Sequence, residues 1–229
     1  MENVKQHFEK EAREYDAIIC RLIPYYEQML DALVAALPFP GDREIRVVDL
    51  GCGTGTIAKR IRDAYPRSTV TCVDIAENML RVAQAKLGAG AGMRYQRANF
   101  EQYEFDSDYD AAVSSLALHH LVKDEDKIKF YKKIHACLRP GGVFFNADVV
   151  LGSGAHLRDV YLEKWRKYIH REVSNEEIDR KWIPTHRDED HPAGLTDQLH
   201  WLQDIGFTDV DVLWKYYNFA VYGGCKTAG

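Results

Sequence analysis

Two acids and a glycine run carry the first chemical signal in this 229-residue chain. Val47-Val48-Asp49-Leu50 reads as a buried strand, and it breaks into Gly51-Cys52-Gly53-Thr54-Gly55 before a helical stretch. Val70-Thr71-Cys72-Val73 reads as a second buried strand, ending in Asp74. Glycines let the backbone turn where other residues are strained, and let it approach a ligand closely. An acid at the end of the following strand can accept both hydroxyls of a ribose. The pair describes a pocket for a nucleoside-bearing cofactor. The same glycine loop also serves simply to turn a strand into a helix.

The spacing narrows the choice of cofactor. A dinucleotide fingerprint is G-x-G-x-x-G, with its third glycine one place later than here. That place is Thr56, and the third glycine is Gly55. Asp49 stands two residues before Gly51. D-x-G-x-G-x-G followed by an acid-ended strand resembles the class I (Rossmann-like) SAM-dependent methyltransferases, SAM being S-adenosyl-L-methionine. The resemblance implies SAM as cofactor, with Asp49 near its ammonium and Gly51, Cys52, Gly53, Gly55 and Asp74 around its nucleoside. It further implies that Ile75 and Met79 flank ribose or adenine. Asn99 stands where many relatives have an acid, and its amide oxygen can accept from the adenine amine. Phe100 covers the adenine face or packs in the core, and Met79 stands at helical spacing, where plain core is the alternative. Ser115 completes the cofactor set at the end of strand four.

The run Leu116-Ala117-Leu118-His119-His120-Leu121 follows that strand. The family often places such a pair near the transferred methyl. Methyl transfer is an in-line displacement whose rate comes largely from positioning, and a base is needed only for a protonated nucleophile. His119 and His120 are therefore the catalytic candidates, with packing or lid contacts as the alternative. Tyr161, Trp165 and Tyr168 are candidates for an aromatic substrate pocket, although their helical spacing also suits a core stripe. His186-Arg187-Asp188-Glu189-Asp190-His191 holds metal-type donors, but in a polar, proline-flanked stretch a solvated loop is favoured. No metal is expected.

Strand and helix patterns alternate from about residue 45 to 150, which gives a mostly parallel sheet with helices on both faces. The strands are expected at 45–50, 70–74, 93–98, 110–115 and 143–150, the last preceded by a Pro140-Gly141-Gly142 stop. Residues 208–213 and 217–222 suit a terminal antiparallel hairpin. The fold expected is thus a single α/β, Rossmann-like methyltransferase domain. It divides into an N-terminal helical cap (1–40), a SAM-binding core (41–151), a helical lid insertion (152–195), and a last helix with the hairpin (196–229). Phe8, Ala12 and Tyr15 share one face of an amphipathic N-terminal helix, with Asn3 as its cap. Tyr15 is the lid residue expected to reach the cofactor. In the insertion, Ser174 and Glu177 form a capping box for a helix that Pro184 stops.

Composition removes other classes. Hydrophobic content of 46% and charge of 28% suit a globular domain. The net charge of −5 argues against a broad nucleic-acid grip, so a small-molecule partner is expected. Five scattered cysteines without a C-x-x-C pair point to a reducing, cytoplasmic setting. No apolar run is long enough for a bilayer, and a monomer or homodimer is expected. The reading is SAM-dependent methyl transfer to a small-molecule nucleophile. One alternative is a SAM-modifying enzyme similar to the carboxy-SAM synthase of tRNA wobble-uridine modification. That enzyme would need an arginine for the added carboxylate, Arg21 and Arg166 being the candidates. The other alternative is a non-catalytic SAM-binding partner subunit.

Overall fold

The computed structural model describes residues 15–90, 92–100, 102–106 and 108–228. Phe8, Ala12 and Asn3 of the expected N-terminal helix lie outside them. Two helices open the described chain, α1 (Tyr15–Leu22) and α2 (Tyr26–Ala35). The core then alternates β1 (Arg46–Leu50), α3 (Thr56–Ala64), β2 (Thr69–Asp74), α4 (Glu77–Leu87) and β3 (Met93–Arg97). β4 (Tyr109–Ser115), a 3₁₀ turn (Leu118–His120), α5 (Asp124–Cys137) and β5 (Leu138–Val149) follow. After the insertion come α8 (Leu195–Ile205), β6 (Phe207–Tyr216) and β7 (Phe219–Lys226).

The seven strands run in the order β3-β2-β1-β4-β5-β7-β6. The first five are parallel, and β7 is antiparallel to both β5 and β6. Val47, Val48, Leu50, Val70, Val73, Ala111, Ala112 and Val113 are all fully buried, because helices cover both faces of this sheet. β6 is the edge strand and alternates exposed with half-buried positions, as an edge with one wet face does. Among the described residues no helix is long and apolar enough to cross a membrane.

Two expectations are corrected. Pro140-Gly141-Gly142 does not separate α5 from β5. The helix ends at Cys137, and the strand begins at Leu138, which already pairs with Tyr109. The register then shifts before Ala111 pairs with Val143, so the proline and glycines form an irregularity inside the strand. Pro184 does not stop the insertion helix either. α6 (Ala155–Ile169) is followed by a short turn at Asn175–Glu177, where the Ser174 hydroxyl accepts from the Glu177 N–H at 3.2 Å, as the capping box requires. The chain continues through a π-helical turn (Ile178–Trp182) into α7 (Ile183–Glu189). Pro184 falls in the first turn of α7, where its missing N–H and fixed φ are tolerated. Residues 186–189 are therefore helical rather than a solvated loop.

α1 and the insertion are joined over the carboxyl edge of the sheet. The Trp165 indole N–H donates to the Leu22 carbonyl at 2.8 Å, and Arg21 donates to the Glu172 carbonyl at 2.8 Å.

Candidate functional site

The sheet has its topological switch at β1, since the chain runs outward to β3 on one side and returns to β4 on the other. In open α/β sheets the crevice beyond the strand ends at such a point is where ligands bind. Here the loop after β1 and the turn after β4 face each other across it.

Backbone geometry explains the glycine loop. Gly51 has φ +69°, and the N–H groups of Gly51 and Cys52 both donate to the Val73 carbonyl, at 2.8 and 3.0 Å. A Cβ at Gly51 would lie 2.2 Å from the Ala117 Cβ and 3.2 Å from the Phe100 Cζ. A Cβ at Gly53, where φ is +52°, would meet nothing within 4 Å, so that side of the loop is open. Asp74 locks the loop to β2. One carboxylate oxygen accepts from the Gly53 N–H at 2.9 Å, and the other accepts from the Ala76 N–H at 2.8 Å.

A cleft of about 510 Å³ opens beside this loop. It is lined by Tyr15, Gly51, Gly53, Asp74, Ile75, Met79, Phe100, Ser115 and His120, with Ala98, Leu116 and Ala117. A recess of about 310 Å³ shares Tyr15, Gly51, Gly53 and Ser115 with it and adds Asp49, Cys52 and Tyr26. Of the expected cofactor residues, Asn99 and Gly55 line neither. Ala98, the residue before Asn99, lines the cleft. Gly55 instead packs the loop against α4, its Cβ position lying 2.8 Å from Leu87 Cδ1.

Asp49 is 1% exposed, and neither carboxylate oxygen has a hydrogen-bond partner among the described residues. Burial pushes its pKa up to about 7; the Ala58 backbone N–H works against that, and the Asp74 charge adds to it. A buried, unpartnered carboxylate is costly. A cation arriving in the recess would relieve that cost.

A third cavity, of about 690 Å³, adjoins the cleft at Tyr15, Leu116 and His120. Ile18, Ile19, Leu22 and Ile23 from α1 and its following turn, Val149, Trp165 and Trp182 give it an apolar wall. His119, Thr185, His186, Glu189 and Asp190 give it one polar end. Tyr15 borders all three cavities. Of the three aromatic substrate candidates only Trp165 lines this chamber. Tyr161 turns to Lys215, which donates to its hydroxyl at 3.0 Å, and Tyr168 packs on Tyr25 and Arg171.

The histidine pair is built into the polar end. His119 Nδ1 lies 2.5 Å from Asp148 Oδ1, and the backbone N–H of His119 donates to Asp148 Oδ2 at 3.0 Å. Its Nε2 lies 3.3 Å from Asp190 Oδ1. Burial works against a charge on His119, but Asp148 and then Asp190 outweigh it and push its pKa up to about 10. His120 goes the other way, down to about 3, through burial and then the His119 cation beside it. His120 Nδ1 lies 3.1 Å from the Glu189 carbonyl. A carbonyl only accepts, so Nδ1 carries the hydrogen and the lone pair is on Nε2. The cap is fastened here too, because the His191 N–H donates to the His119 carbonyl at 2.9 Å. Burial alone would raise the Asp190 carboxyl, but His119 and then His186 hold it well below the usual range.

Asp148 and Trp182 were not singled out in sequence, and His186 and Asp190 were named only within the 186–191 run that was expected to be a solvated loop. Asp148 had a signal, as an acid beside Asn146 within an otherwise apolar strand. The donor run around Asp190 was visible, but its meeting with His119 was not, because that depends on the path of the insertion.

Residues 47–142 match the model of a family described as a methyltransferase domain. The carboxy-S-adenosyl-L-methionine synthase of Helicobacter pylori is 25% identical over 232 residues, covering 96% of this chain and 93% of that one. The malonyl-[acyl-carrier protein] O-methyltransferase of Anoxybacillus flavithermus is 30% identical over 125 residues, covering 55% of this chain and 45% of its own length. Among solved structures, a DhpI-SAM-HEP complex is similar with a TM-score of 0.65 at 20% identity, covering 96% of this chain and 94% of that one. Phosphoethanolamine N-methyltransferase 2 of Haemonchus contortus, solved with SAM, has a TM-score of 0.65 at 16% identity, covering 96% and 57%. Residues 47–142 thus carry the methyltransferase-domain match, and the chain as a whole has the Rossmann-like fold that these SAM-dependent methyltransferase structures share.

Proposed function

We propose that the chain transfers the methyl group of SAM to a small, largely apolar acceptor seated in the chamber beside His120. The observation that carries this reading is the meeting of two cavities at Tyr15, Leu116 and His120. One has the loop and acid of a nucleoside site; the other has apolar walls and one polar end.

The unpartnered Asp49 carboxylate supports SAM as the group the first cavity holds, since the amino acid part of SAM brings an ammonium. Asp74 would hold the ribose, Ile75, Met79 and Phe100 the adenine, and Asp49 with Tyr15 the amino acid end. SAM, when bound, supplies a methyl group activated on a sulfonium. The protein then has to bring the acceptor in line and exclude water. α1 and the insertion do this by closing the chamber. Where the acceptor carries a proton, His120 is the member of the pair that takes it. His119 is already a cation held between two carboxylates, and so it positions the turn rather than accepting a proton.

The full-length similarity to carboxy-SAM synthases supports the alternative of SAM modification. That product needs a cation for its carboxylate. Arg21 pairs with Glu172 at 3.4 Å and Arg166 with Asp179 at 2.6 Å. Among the described residues no lysine or arginine lines the cleft, the recess or the chamber, which favours methyl transfer.

The test is a screen of small nucleophiles with SAM, read by mass spectrometry. Release of S-adenosylhomocysteine with a methylated product is expected. A SAM derivative heavier by a carboxylate would instead establish the alternative, and binding without any turnover the partner-subunit reading. With an acceptor in hand, His120→Ala is expected to slow turnover about 10²-fold or more while leaving S-adenosylhomocysteine affinity within a few fold. Equal loss of both would make the histidine structural.

Asp74→Ala is expected to weaken S-adenosylhomocysteine binding by about 1–3 kcal/mol, through loss of a charged acceptor. The chain still folds, because Asp74 sits at a strand end. Unchanged affinity in the folded variant would place the ribose elsewhere.

A further inference from the structure

At the polar end of the chamber, His119, His120 and Asp190 each present one donor atom, and the three atoms lie within 4.8 Å of one another. His119 Nε2 is 3.3 Å from Asp190 Oδ1, and His120 Nδ1 is 3.7 Å from the same oxygen. A charge-assisted hydrogen bond is normally shorter, roughly 2.7–2.9 Å. Donors sharing a tetrahedral ion at bonds of about 2.0–2.1 Å stand roughly 3.3–3.4 Å apart. The shorter of the two distances to Asp190 Oδ1 matches that spacing, and the longer exceeds it by a few tenths of an ångström.

The contacts behind them have the opposite character. His119 turns its other nitrogen to Asp148 at 2.5 Å, and Asp190 turns its other oxygen to His186 at 2.7 Å. Short outer bonds that fix the ring and carboxylate of ligating residues are the usual supporting arrangement of a metal centre. Two imidazoles and one carboxylate suit a divalent first-row transition ion such as Zn²⁺ or Co²⁺.

We propose that His119, His120 and Asp190 form a site for such an ion on the chamber wall, oriented from behind by Asp148 and His186. The ligand set faces the chamber, so its remaining position is open to an oxygen or nitrogen of a bound acceptor. On binding, the ion displaces the Nε2 proton of His119 to solvent, and His120 turns Nδ1 from the Glu189 carbonyl to the ion as its hydrogen passes to Nε2. An acceptor oxygen or nitrogen held at the open position would then be acidified by the ion and would lose its proton to solvent rather than to His120. The site is complete in these residues and stands whether or not the acceptor is methylated.

The test uses the full chain stripped with a chelator, then titrated with Co²⁺ by visible absorption and with Zn²⁺ by calorimetry. S-adenosylhomocysteine binding is measured on the same samples. One ion per chain is expected, at micromolar Kd or tighter, with the intense visible bands of low-coordinate cobalt. Asp190→Ala and His119→Ala should lose the bands, and His186→Ala should weaken binding about 10–100-fold by freeing the Asp190 carboxylate. His186 is partly exposed, so that variant reports even if a deeper replacement does not fold. A wild-type chain that binds S-adenosylhomocysteine but no Co²⁺ overturns the metal site and leaves the methyl-transfer reading intact. Co²⁺ binding without S-adenosylhomocysteine does the reverse. Bands unchanged by Asp190→Ala and His119→Ala place the ion elsewhere and overturn the proposal.

Discussion

Gly51→Ala is expected to destabilise the chain by about 2–5 kcal/mol and to cut S-adenosylhomocysteine affinity at least tenfold. Two costs add. A left-handed alanine costs about 1–2 kcal/mol, and forcing a methyl into a filled site costs roughly another 1–3. The crowded atoms are the Ala117 Cβ at 2.2 Å and the Phe100 ring at 3.2 Å, both belonging to residues that line the cleft. Gly53→Ala is the control. It has a positive φ as well but nothing within 4 Å of the new methyl, so only the first cost applies. Urea unfolding of both variants separates the two. Equal losses would show that the close approach of Ala117 relaxes without cost.

That loop was legible in sequence for a local reason. A strand that turns into a helix at positive φ, beside a neighbouring backbone, restricts each position to few residue types, and Gly51, Gly53 and Asp74 satisfy the restriction within 24 positions of one another. Tyr15 was legible because an aromatic on the apolar face of a helix must point inward. The chamber was not legible in the same way. Trp165 and its helical neighbours Tyr161 and Tyr168 look alike as a stripe, but only Trp165 faces α1, where it reaches the Leu22 carbonyl. The other two find partners on the β6–β7 side and on Arg171. Asp190 depends on a longer chain of events. A π turn carries the insertion past Pro184, and the resulting helix delivers Asp190 to a histidine 71 positions earlier. A proline read as a stop hides that path.

Asp148→Asn is expected to cost about 3–5 kcal/mol at neutral pH, because it leaves the His119 cation in a buried site with one carboxylate fewer. His119 and Asp148 are only 6% and 3% exposed at their side chains, so solvent screens the pair little. The pH dependence fixes the interpretation. The folded-state pKa of His119 is raised from 6.5 to about 10. Stabilisation from its charge is therefore fully present below about 6.5 and is lost as pH rises through 10. The gap between wild type and Asp148→Asn should narrow across that alkaline window. The measurement is chemical unfolding of chelator-treated protein from pH 6 to about 10.5. A gap that stays constant over the whole range would mean that His119 is neutral at pH 7 and that the pair is an ordinary hydrogen bond.

A switch-point cleft that holds SAM, with its methyl group directed at the chamber beside His120, is tested most directly by isothermal titration of the purified chain. The ligands are SAM, S-adenosylhomocysteine and NAD. Binding of both adenosyl compounds at low-micromolar Kd or tighter is expected, with no heat from NAD, and with both affinities reduced by Asp74→Ala. Binding of NAD without either adenosyl compound would contradict the account.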